Sequence, residues 1–94
     1  MSDIRATTPD GRSVAYPDGA PVVEVDVRED LRAGREPFSK IMGAVQALDS
    51  REVLRVRATF APVPLLHVLA EQGFVHHLAS EADDDWSVWF WRPV

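Results

Sequence analysis

Cysteine is absent from the chain. Without a thiol there is no thiolate nucleophile, no cysteine-borne persulfide, no thiolate metal ligand and no disulfide. Positive charge is also scarce: ten Lys and Arg stand against fifteen Asp and Glu, a formal charge of −5 at pH 7. That balance repels phosphate backbones at long range and excludes general nucleic-acid binding as an expectation. No window approaches the ~18 consecutive apolar residues that a membrane span needs. The opening MSDIRATTPDG has no basic segment followed by an apolar stretch. These absences together predict a soluble, cytoplasmic protein with no membrane contact.

What is present describes one folded domain. Hydrophobic residues make up 46% and charged residues 27% of the 94 positions, a composition well outside the disordered regime. Residues 1–21 are rich in Pro, Gly, Asp, Ser and Thr and read as a tail or loop, with a tight turn at YPDG, Tyr16 to Gly19. VVEVDV then alternates valine with carboxylate, which sets Val23, Val25 and Val27 inward and Glu24 and Asp26 outward. From Pro37 the residues Phe38, Ile41, Met42, Val45 and Leu48 follow helical spacing, and Pro37 suits the first turn, where its missing N–H costs nothing. VLRVRATF returns to period two, with Leu54, Val56, Ala58 and Phe60 inward and Arg55, Arg57 and Thr59 outward. A second helix is expected from Val63 to about Gln72, closed by Gly73. FVHHLAS and WSVWFWR form the last two strands, joined by the polar EADDD, Glu81 to Asp85.

The order β-α-β-α-β-β defines the expected fold class: α/β, a two-layer α/β sandwich with a four-stranded mixed sheet and two helices on one face. The ordered domain spans 22–92. This order, the DVR at Asp26 to Arg28, the helix opening with Glu36-Pro37 and the final WSVWFW resemble the TusA/SirA-like fold. More closely they resemble its cysteine-free branch of domains of unknown function, some of which occur beside hemerythrin-like domains. Sulfur carriers of this fold open the first helix with Cys-Pro-x-Pro. Laid over that motif, GREPF puts Gly34 at the cysteine and Arg35 at the first proline and keeps Pro37. The resemblance implies the fold and a functional loop before the first helix, while the missing sulfur argues against sulfur carriage.

Candidate sites follow from the connections. Arg28, Arg32 and Arg35 stand in the DVREDLRAGREP segment before the first expected helix, whose leading N–H groups lack partners within the helix. With Gly34 they form a candidate site for a small anion. Because both helices follow parallel strands, TFAPVP lies beside this segment, and Phe60 is expected to wall a crevice between the two. His76 and His77 point to opposite faces of a strand and His67 lies on a helix, so no metal site is assigned. No hydroxyl stands in a strained glycine elbow and no acid–base pair is legible, so no catalytic residue is assigned and no cofactor is indicated.

In the last strand Trp86, Val88 and Phe90 share one face and Trp89 and Trp91 the other. Helices cover one face only, which leaves large aromatics to be covered by the N-terminal residues, a second copy or a partner. Trp86, Trp89 and Trp91 are the candidate interface residues. The expected function is a small non-catalytic binding module that docks a protein partner or its own copy through the sheet and holds a small anion at the helix N-termini. The alternative is a group-transfer or metal/redox accessory component working with a partner enzyme.

Overall fold

A computed structural model describes residues 4–8 and 10–93. The elements run β1 (Arg5–Thr7), β2 (Ser13–Ala15), β3 (Val22–Asp26), α1 (Arg28–Arg32), α2 (Phe38–Ala47), β4 (Val53–Ala58), α3 (Val63–Glu71), β5 (Val75–Ala82) and β6 (Asp85–Trp91). The last six long elements reproduce the order read from the sequence. Two features do not. The segment expected as a loop between β3 and α2 contains a short helix, α1, so the described residues hold three helices rather than two. The expected tail folds into a β1–β2 hairpin, with residues 1–3 and 9 of that tail outside the described residues.

The main sheet has the order β3-β4-β6-β5, parallel between β3 and β4 and antiparallel elsewhere. Its inner face carries the alternate residues Val25, Leu54, Val56, Ala58, Val88 and Phe90, which pack against Ile41 and Val45 of α2 and Leu65 and Leu69 of α3. The stripe on α2 is therefore real but starts one turn late, because Phe38 is 42% exposed. Similarly, β4 ends at Ala58, and Phe60 stands 52% exposed instead of continuing the inward row. α3 closes as its glycine predicts. Gly73 takes φ +90°, its N–H donates to Ala70 O, and Phe74 N donates to Leu69 O, the paired bonds that satisfy the last carbonyls of a helix.

The outer face is divided. At one end Val53, Val75 and Trp91 are buried under Ala6 of the hairpin, with Ile4, Tyr16 and Ala20 packed around them. At the other end the face is ionic: Arg55 and Arg57 on β4 meet Glu24, Glu81, Ser87 and Asp85 from the other strands of the sheet. Trp91 is 3% exposed and Tyr16 meets it edge-on at 5.3 Å between ring centroids. Of the three coverings open to these aromatics, the N-terminal residues supply the one at Trp91. Trp89 lies half-buried between the Arg55 guanidinium, 4.9 Å from its ring, and His77 at 5.8 Å. Trp86 is half-buried on the inner, helix-side face. A bare tryptophan face, the basis for docking through the sheet, is therefore not formed.

Candidate functional site

The chain leaves β3 at Asp26, whose carboxylate accepts the Arg28 backbone N–H at 3.0 Å and starts the turn into α1. α1 ends within two turns. Gly34 takes φ +74°, its N–H donates to Leu31 O, and Arg35 N donates to Asp30 O at 2.8 Å. This is the same glycine closure that ends α3. Gly34 thus finishes α1 rather than opening α2, and it places Leu31 toward the sheet. The second connection, Thr59 to Pro62, leads from β4 into α3, with Pro62 and Pro64 stiffening the entry.

Between these two connections, at the carboxyl ends of the parallel pair β3–β4, lies a cleft of about 150 Å³. Val27, Val56 and Ala58 line it from the sheet side, Ile41 and Leu65 from the helices. Leu31, Phe38, Phe60 and the prolines at 37, 62 and 64 complete its wall. The lining is almost wholly carbon. A recess of ~150 Å³ lined by aliphatic and aromatic groups has the volume for a benzene-sized guest. The crevice and the position of Phe60 on its wall were legible from β-α-β geometry. Leu31 and Phe38 were missed; the only sign of the first is a lone apolar residue inside the charged run REDLRAGRE.

The arginines expected to share an anion separate into different environments. Arg28 is spent on the outer sheet edge, donating to Asp26 Oδ1 at 3.0 Å and Oδ2 at 2.7 Å and to Asp85 Oδ1 at 3.3 Å. These hydrogen bonds hold the Asp26 carboxyl down to about 2 and raise the Arg28 pKa above its ordinary range. Arg35 donates to Asp30 Oδ1 at 3.0 Å, and Lys40 reaches Asp30 Oδ2 at 3.2 Å. Hydrogen bonds from Arg35 first and Lys40 second lower the Asp30 carboxyl. The leading amides of α2 are occupied as well. Glu36 Oε1 accepts from Phe38 N and, at 3.2 Å, from Ser39 N, while Ser39 Oγ donates to Oε2 at 2.8 Å. The Ser39 hydroxyl is the main cause of the lowered Glu36 carboxyl. The helix start therefore supplies its own anion, and the expectation of free amides there is corrected.

Arg32 differs. It is exposed, and it lines a notch together with Leu31, Thr59, Phe60 and Asp84, adjoining the cleft through the shared residues Leu31 and Phe60. Of the five residues first grouped as one site, only Arg32 and Phe60 stand at the cleft and its border. The histidines lie apart from it, His76 facing the inner side beside Phe90 and His77 the outer side beside Trp89. Among the described residues no three His, Asp or Glu side chains gather as a metal-binding group. No helix among them is long and apolar enough to cross a membrane.

Fold and cleft define a small α/β domain with a compact apolar recess at the carboxyl ends of its parallel strands. The chain belongs to DUF2249, a family of uncharacterised conserved proteins, whose sequence model matches residues 24–92. The matched span runs from β3 through β6 and contains the whole cleft, whereas the hairpin precedes it. No curated protein and no solved structure matches the chain.

Proposed function

We propose that this protein is a small, non-catalytic, cytoplasmic binding module that docks a protein partner by seating one apolar side chain in the cleft. The observation that carries this reading is the cleft itself: an apolar recess sized for one ring or branched chain, with Phe38 and Phe60, 42% and 52% exposed, on its wall. Nucleotide- and flavin-sized ligands require more, since small-molecule pockets usually enclose ~300–1,000 Å³. A small apolar recess with exposed aromatic residues on its wall suits an anchoring side chain from another protein surface. The likeness to the TusA/SirA-like fold adds support, because that fold also uses the edge from which α2 starts. Chemistry at that edge differs here, since a chain with no cysteine carries no cysteine-bound persulfide.

Amide NMR titration with N-acetylphenylalaninamide and N-acetylleucinamide tests the reading. Shifts are expected at Val56, Ala58 and Phe60, and weakened by Phe60→Ser, a substitution at an exposed position that leaves the core intact. Shifts that avoid the cleft, or that Phe60→Ser leaves unchanged, would refute it.

A further inference from the structure

We infer that the partner segment seated in the cleft carries a carboxylate next to its anchoring apolar side chain, and that Arg32 receives that carboxylate. The inference rests on the cleft as the docking point and adds the chemistry of what docks there.

The ground for it is an imbalance among the basic side chains. Arg12, Arg28, Arg35, Lys40, Arg51, Arg55 and Arg57 all pair with carboxylates. Arg5 donates to Ser13, and Arg92 donates to Gln72 O and lies over the Phe74 ring. Arg32 alone has no such hydrogen bond, ion pair or ring contact among the described residues, in a protein with five more acidic than basic side chains. Its neighbours explain why. Asp30 is held by Arg35 and Lys40, and Glu36 is turned onto the amides of α2. Asp84 lines the same notch without forming an ion pair with Arg32.

Leu31 and Arg32 are consecutive residues of α1, one walling the apolar cleft and the other the adjoining notch. Gly34 closes the helix directly behind them and fixes that pair. A segment with an aromatic or branched side chain beside an aspartate or glutamate fills both recesses at once: carbon against Leu31 and Phe60, carboxylate against the guanidinium. A guanidinium presents a planar fork of donors that matches a carboxylate, so the contact also orients the segment.

The probes are two capped dipeptides of equal shape, acetyl-Phe-Asp-amide and acetyl-Phe-Asn-amide, titrated against the full chain by amide NMR. The aspartate probe is expected to bind about threefold more tightly at low ionic strength, the scale of an exposed ion pair. That preference is expected to vanish in Arg32→Gln and at ~1 M salt, where screening reaches ~3 Å. Equal binding of the two probes, with shifts at Val56, Ala58 and Phe60, overturns the role of Arg32 and leaves the cleft reading standing. Absence of those shifts with both probes overturns the cleft reading itself. Free 3-phenylpropionate binding tenfold more tightly than the aspartate dipeptide would overturn a protein segment as the occupant in favour of a small acid.

Discussion

A single guanidinium nitrogen of Arg57 donates to both carboxylate oxygens of Asp85, each at 2.9 Å. Arg28 reaches the same carboxylate from α1, so Asp85 ties β4, β6 and the start of α1 on the outer face of the sheet. Both members of the Arg57–Asp85 pair are about four-fifths buried, and Arg57 Nε is buried with no hydrogen-bond partner among the described residues. Solvent screens such a pair less than a surface pair, but it is not fully desolvated. Asp85→Asn is expected to cost about 1–3 kcal/mol, between the surface and buried limits. A double-mutant cycle with Arg57→Met, read by urea denaturation, should return a coupling of about 1–2 kcal/mol. A coupling near zero would show that the geometry contributes nothing to stability.

Acid should weaken the fold in two separate windows. His76 is half-buried, and burial first, then the positive charges of His77 and His67, lower its pKa in the folded state. The unfolded chain therefore binds the proton more readily, so stability is full above about pH 6.5 and declines as pH falls below it. Asp26 behaves differently in origin and alike in sign. Its carboxyl is held at about 2 by Arg28, so its contribution is complete above about pH 4 and lost as pH falls toward 2. His76→Gln should flatten the first window and Asp26→Asn should reduce the second, to which the lowered Asp30 and Glu36 carboxyls also contribute, measured as denaturation midpoint against pH. Identical profiles in wild type and variants would contradict both assignments.

Tyr16 is the contact through which the hairpin covers Trp91. Tyr16→Ala is expected to cost about 1–3 kcal/mol from lost aromatic packing and burial, with a red shift of tryptophan emission. Removing residues 1–20 bares Trp91, Val53 and Val75 together, and sedimentation should then show stronger association than that of the full chain. An unchanged emission maximum and a monomeric truncated chain would show that the hairpin is dispensable as a cover.

Gly34→Ala tests the closure of α1. A Cβ at this position meets nothing within 4 Å, so the whole cost is the left-handed backbone, about 1 kcal/mol. Gly34→Asn should cost less, because asparagine tolerates that conformation. Both changes loosen Leu31 and are expected to weaken acetyl-Phe-Asp-amide binding in the same order. Full affinity in Gly34→Ala would separate the glycine from the shape of the cleft.

Period and punctuation determined most of the architecture from the chain alone. Alternating valines in β3 and β4, the Ile41, Met42, Val45 stripe and the stop at Gly73 are local patterns, and local backbone preference together with burial of one face is enough to read them. The crevice beside Phe60 followed from connectivity, because consecutive β-α units start their helices at the same edge of a sheet. Tertiary structure decided the rest, because each side chain takes one of several competing partners, some adjacent and some distant in sequence. Arg28 is held by Asp85, 57 positions away, and Trp91 is covered by Tyr16, 75 positions earlier. Three arginines that look equivalent in DVREDLRAGREP acquire different roles because two of them find carboxylates and Arg32, among the described residues, does not. Composition counts charges without pairing them; only folding determines which guanidinium is left free, and among the described residues it is the one beside the apolar cleft.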